Sequence, residues 1–239
     1  MTSTIAFIGK SGSGKTTLTR SMLKLLQRKF SDKTILLIDN DLTLELSDSF
    51  GIKTKNTVYG VKSGKHEYKT GIPDGMTKQE YIDWALEDIL LPIADNVDII
   101  ASWFVTPKDC RCPSTKLMRD SMGRLIDRYD FVLIDCEYDL KYLSLLTDCM
   151  IDVAIIVSKP NKNDIALSAK IFEGSRKYAP NGQMGVILNQ FEEDEGYCDL
   201  LNALEVDLMG CIKKCDNTDE ITDILEDLYT RMNLPQDGK

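Results

Sequence analysis

At 239 residues, with 43% hydrophobic and 28% charged side chains, the chain has the composition of a globule large enough to bury a sheet on both faces, which excludes a disordered polymer. A net charge of −9 disfavours neutralisation of a nucleic-acid backbone, so no nucleic-acid partner is expected. No apolar run reaches the roughly 20 residues that cross a bilayer, and the N-terminus enters Ile5-Ala6-Phe7-Ile8 without a signal-peptide layout, so a cytosolic protein with no membrane partner is expected.

Short β-branched apolar runs at 5–8, 34–39, 97–102, 131–135, 153–158 and 184–189 are predicted strands, and helical spacing covers 16–29, 77–95, 114–128, 164–178 and 219–232. Strands alternating with helices, and apolar on both faces as in Phe131-Val132-Leu133-Ile134, make an α/β fold with a mostly parallel central sheet flanked by helices on both faces. No repeat or linker divides residues 1–239, so one domain is expected, with an irregular excursion at about 51–75, with room for a short hairpin, and a frayed tail at about 236–239.

Directly after the first strand stands Gly9-Lys10-Ser11-Gly12-Ser13-Gly14-Lys15-Thr16, followed by Thr17 and a helical stretch. This is the G-x-x-x-x-G-K-T phosphate loop: the glycines let successive backbone N–H groups turn toward one anion, and the helix adds its positive end. Lys15 is expected on the β- and γ-phosphates and Thr16 on Mg²⁺. Phe131 to Asp135 is an apolar strand ending in an acid, which suits Asp135 to hold Mg²⁺ through water. Lys10 is a second lysine at the mouth of the loop, with a solvated surface charge as the plainer alternative.

The run Lys10 to Thr16 resembles the deviant Walker A loop of the MinD, ParA and nitrogenase-iron-protein ATPases, P-loop NTPases of the SIMIBI type. That resemblance implies a homodimer in which Lys10 crosses to the partner's nucleotide and stabilises charge at the γ-phosphate, so that ATP hydrolysis depends on dimerisation. It further implies that Asp41 positions water, that Asp39 supports the Mg²⁺ shell, and that Asn189 reads adenine. Ser11 stands where the family usually has glycine, Leu42 where it has proline, and 135–139 lacks the family's glycine. Without the resemblance, Asp39 and Asp41 are also ordinary turn residues.

Seven cysteines in a reducing compartment are core residues, metal ligands or catalytic thiols. Cys110-Arg111-Cys112-Pro113 puts two sulfurs on one loop, half of a four-coordinate shell that a twofold axis would complete; two thiols packed at a helix start is the plainer alternative. Cys136, Cys149, Cys198, Cys211 and Cys215 read as small core residues, and His66 as a surface residue. Cys110 to Pro113, continued through Asp135-Cys136-Glu137, is similar to the CooC family of nickel-insertion ATPases. This implies Ni²⁺ or Zn²⁺ on Cys110 and Cys112, and a client nickel enzyme of the carbon monoxide dehydrogenase or acetyl-CoA synthase type. The alternatives are a MinD- or ParA-like positioning ATPase, against which the acidic 216–232 stretch offers no basic membrane face, and an iron–sulfur reductase component.

Overall fold

The computed structural model describes residues 2–63, 72–102, 113–138, 140, 151–193, 196–214, 218–232 and 234. Among them an eight-stranded sheet runs in the order β3-β4-β2-β5-β1-β6-β7-β8. The strands are β1 (Ser3–Gly9), β2 (Ile35–Asn40), β3 (Leu91–Ala94), β4 (Val97–Ala101), β5 (Phe131–Glu137), β6 (Val153–Ser158), β7 (Gln183–Phe191) and β8 (Leu208–Lys213). All neighbours pair in parallel except β3 and β4. The helices are α1 (Lys15–Lys29), α2 (Glu45–Ser49), α3 (Val58–Lys62), α4 (Lys78–Ile89), α5 (Pro113–Ile126), α6 (Lys162–Ser175), α7 (Tyr197–Ala203) and α8 (Thr218–Thr230).

Strand alternation sorts the core into two layers. Ile5, Phe7, Leu37 and Leu133 pack with Leu18 and Met22 of α1 and with Leu225 and Tyr229 of α8. From the same strands Ala6, Ile8, Ile38 and Ile134 point the other way, to Met118 and Met122 of α5 and Ile165 and Phe172 of α6. Helices therefore cover both faces, as the unbroken apolar strands require.

The six predicted strands are all present. The helix expected over 77–95 is corrected: it stops at Ile89, and Leu91–Ala94 forms β3. Pro92 has no N–H to donate and forces Leu91 toward extended geometry, which ends a helix but suits an edge strand. At its other end, the Thr77 hydroxyl accepts from Glu80 N at 3.2 Å while the Glu80 carboxylate accepts from Thr77 N at 2.7 Å, a reciprocal cap. The excursion at 51–75 is not wholly irregular, since α3 lies within it with Thr57 as its cap. Edge strand β8 escaped prediction because only Ile212 in it is fully buried, leaving little alternation to read. No helix among the described residues is long and apolar enough to cross a membrane.

Candidate nucleotide site

From β1 the chain passes to β2 on one side of the sheet, while β6 and β7 lie on the other. The carboxyl end of β1 is thus the topological switch point, where a parallel sheet opens a crevice. The loop leaving it has Gly12 at φ 74° and Gly14 at φ 100°, conformations that glycine adopts without strain. Helix α1 begins at Lys15 with Gly14 as its N-cap and no side-chain cap, which leaves its first N–H groups to an anion. A Cβ at Gly12 would meet only the Lys159 ammonium, at 4.0 Å, so the crown of the loop is open.

Lys15 is 3% exposed. Its ammonium donates to the Lys10 carbonyl at 3.2 Å and lies 3.9 Å from Asp41 Oδ2. The Thr16 hydroxyl donates to Asp135 Oδ2 at 2.6 Å. Parallel pairing sets Asp39 abreast of Asp135 on neighbouring strands. Both face α1, because Leu37 and Leu133, two residues earlier, do. Asp39 is fully engaged: Oδ2 accepts from Ser47 N at 2.7 Å and from its hydroxyl at 2.6 Å, and Oδ1 from Asp41 N at 3.3 Å. Asp41 Oδ1 accepts from Thr43 N at 2.9 Å and from the Thr43 hydroxyl at 2.7 Å.

Burial raises the Asp135 carboxyl to about 7, against the opposing pull of the Thr16 hydroxyl and the Lys15 charge. Burial likewise raises Asp39, with Ser47 hydrogen bonds opposing it and the Asp41 charge adding to it. Glu137, the last residue of β5, is raised by burial and by the Asp41 charge, while Lys15, the Leu42 N–H and the Tyr138 side chain pull it down.

Among the described residues, three buried oxygens around this crevice have no hydrogen-bond partner: Ser13 Oγ, Asp41 Oδ2 and Asp135 Oδ1. Buried polar atoms left without hydrogen bonds cost free energy, so three of them, brought by three segments to the carboxyl end of the sheet, mark where a polar ligand completes the structure. The residues fit a Mg²⁺–nucleotide: open loop N–H groups, a buried lysine, and a hydroxyl beside a carboxylate.

The family model described as an AAA domain matches residues 2–169. The chain belongs to that family. This AAA-domain chain is 30% identical over 169 residues to an uncharacterized ATP-binding protein of Methanocaldococcus jannaschii, an alignment covering 70% of this chain and 66% of the relative, just under two-thirds of its length. Its fold is similar to that of a plasmid partition protein from Borrelia burgdorferi (TM-score 0.68, 22% identity, covering 97% of this chain and 100% of the other). It is also similar to the cell division ATPase MinD of Pyrococcus furiosus (TM-score 0.64, 18% identity, 97% and 100% covered). The α/β fold expected from the resemblance to MinD and ParA is the fold observed.

The site of the AAA-domain chain brings together Gly9 through Thr16, Asp41, Asp135 and Asn189. Asn189 Nδ2 donates to Ser13 O at 2.8 Å, so this side chain is seated on the loop itself. Thr17 is exposed in the first turn of α1. Asp39 is brought to the site, but both its oxygens serve Ser47 and Asp41, so a metal contact there would displace one of those donors. Lys10 is 53% exposed in its side chain and pairs with Asp164 Oδ1 at 2.9 Å. Burial acts to raise Asp164, but hydrogen bonds from Lys10 and Asn161 outweigh it and hold the carboxyl below its usual value.

Sequence reasoning missed Ser47, Asp164 and Glu137 as neighbours of the site. Only Glu137 carried a signal, since it follows Asp135 by two and shares its face. Cys110, Cys112, His66, Cys149 and Cys215 lie outside the described residues. Cys136 is buried, with Asn40 Nδ2 donating to its sulfur at 3.2 Å, while Cys198 and Cys211 are partly exposed. Among the described residues no group of three or more His, Cys, Asp and Glu is arranged to hold a metal ion.

Proposed function

We propose that this chain is an ATP-hydrolysing switch that works as a homodimer, a single domain acting in the cytosol. The observation that carries the reading is the uncapped start of α1 at buried Lys15, beside three buried oxygens that take no hydrogen bond. Its likeness to an ATP-binding protein and to an ATPase supports it.

In this reading the backbone N–H groups from Gly9 to Thr17 bind the phosphates, and Lys15 leaves the Lys10 carbonyl to neutralise their charge. Asn189 holds the loop and borders the base. Asp41, whose Oδ2 takes no hydrogen bond, accepts one from the attacking water and orients it. Thr16 and Asp135 would hold Mg²⁺, Asp135 through water and Asp39 from behind; bound there, the ion supplies charge neutralisation at the phosphates. Lys10 of each protomer reaches the other's nucleotide. Its pair with Asp164 is mostly exposed on the lysine side and is worth less than about 1 kcal/mol, so leaving it costs little.

The test is phosphate release and sizing with ATP and with ADP. Lys15→Ala should abolish nucleotide binding, whereas Lys10→Ala should keep binding and lose turnover. Turnover unchanged in both variants would refute the reading.

Two readings of what the switch moves have separate supports. A CooC-type role, carrying Ni²⁺ or Zn²⁺ for a nickel enzyme, rests on Cys110 and Cys112. A positioning role of the MinD or ParA kind rests on the likeness to a plasmid partition protein and to MinD. Anaerobic titration with Ni²⁺ and Zn²⁺ tests the first: one ion per dimer, lost in Cys110→Ser and Cys112→Ser, selects metal carriage, and no thiol-dependent binding makes the cysteine pair structural and leaves an ATP-driven switch of another client.

A further inference from the structure

We propose that Asn40 is a positioning residue of the hydrolytic site: its side chain, bonded to Ser102 and Cys136 beyond the strands on either side, sets the place of Asp41 against the phosphate loop. This role rests on the ATP-hydrolysing reading above. Strand β2 ends at Asn40, and Asp41 is the first residue beyond it. Asn40 and Cys136 form the last rung between β2 and β5. Cys136 is also in register with Ile8 on β1, one residue before the loop opens at Gly9. A single row across the sheet therefore joins the residue before Asp41 to the residue before the loop.

Asp39 and Asp135 face α1, so by alternation Asn40 and Cys136 turn to the opposite face, where Cys136 shares a layer with Met118 and Met122. There the Ser102 hydroxyl donates to Asn40 Oδ1 at 2.9 Å, and Asn40 Nδ2 donates to Cys136 Sγ at 3.2 Å. All three residues are buried. Ser102 is itself fixed: its N–H donates to the Asp39 carbonyl at 2.8 Å, and its carbonyl accepts from Tyr59 N at 3.2 Å. An apolar side chain would bury here without partners, whereas an amide needs a bond at each end. Because the amide is planar, those two bonds fix its orientation as well as its position. They hold the last residue of β2 against rotation, and rotation there would swing Asp41. The bonds from Thr43 to Asp41 Oδ1 lie within the turn and set its shape, not its distance from β1. Lys15, 3.9 Å from Asp41, turns to the phosphates when nucleotide binds. The row through Asn40 stays in place.

The experiment compares Asn40→Ala, Cys136→Ala, their double variant and Cys136→Ser with the unmodified chain, by steady-state ATP hydrolysis and nucleotide affinity, with urea unfolding to confirm that each is folded in the assay. Each alanine is expected to lower kcat by about tenfold, with KM and affinity within about twofold. The double variant should fall no further than Asn40→Ala by more than about twofold, because both changes break one tie. Serine keeps an acceptor for Asn40 Nδ2 and should bring kcat back to within about threefold of the unmodified chain. An unchanged kcat in Cys136→Ala, a serine variant no better than alanine, alanine losses that multiply in the double variant, or a loss confined to KM would each overturn the proposal. If Asn40→Ala does not fold, the two Cys136 variants still decide. An unmodified chain that fails to hydrolyse ATP brings down the ATPase reading and this role with it, whereas hydrolysis indifferent to the tie brings down this role alone.

Discussion

Replacing Asp135 with asparagine removes a buried charge at almost constant volume and keeps an acceptor for the Thr16 hydroxyl. Burial raises this carboxyl from its ordinary 3.8 to about 7, whereas the unfolded chain keeps the ordinary value. A raised carboxyl contributes stability that is fully present below pH 3.8 and is lost as pH climbs through about 7, because the unfolded chain ionises first. The shift is roughly three units at 1.36 kcal/mol each, or about 4 kcal/mol across the whole window. Between about pH 5 and about pH 8, the wild type should lose about 2.5 kcal/mol relative to Asp135→Asn. Urea unfolding of both proteins in EDTA without nucleotide measures the difference, and the remaining titrating groups largely cancel. A difference that stays flat, or shrinks as pH rises, would refute the reasoning. Adding Mg²⁺ and ADP at pH 8 should reverse the order, since the ion compensates the charge that asparagine lacks.

Gly14→Ala should lower stability by roughly 1–3 kcal/mol and abolish nucleotide binding, because its φ is +100° and the new Cβ would meet Asn189 Nδ2 at 2.2 Å; thermal melts and a fluorescent nucleotide report both. Asp39→Ala leaves the Ser47 N–H and hydroxyl buried without their acceptor and should cost about 2–3 kcal/mol in urea unfolding, with α2 showing the greatest gain in amide exchange. Lys10→Ala should change stability by less than about 1 kcal/mol while removing ATP turnover, a separation that a merely structural lysine would not show.

Local chemistry made much of this protein legible. The eight residues from Gly9 to Thr16 need no partners to declare a phosphate loop, because their spacing encodes the turn, the lysine and the helix start together. Phe131 to Asp135 is legible for a similar reason: apolar on both faces, it must be central, and its terminal acid must emerge at the carboxyl end of the sheet. The helical spacing placed the start of α4 correctly at 77, where Thr77 and Glu80, three positions apart, cap it in the folded chain. Pro92, by contrast, was overlooked inside an apolar run whose spacing alone favours a helix.

Which polar atoms meet across the sheet was decided by tertiary structure. Lys10 finds Asp164 across 154 positions, and Asn189 finds Ser13 across 176. Asp39 was expected beside Asp41 as support for the Mg²⁺ shell, and what the folded chain adds is that its Oδ2 accepts from Ser47, on a short helix that no periodicity revealed, and its Oδ1 from Asp41 N. Periodicity reports which face of a strand or helix is buried, because burial repeats along the chain. A hydrogen bond between distant segments does not repeat, and its partners are set by strand order and register, which exist only once the chain has folded.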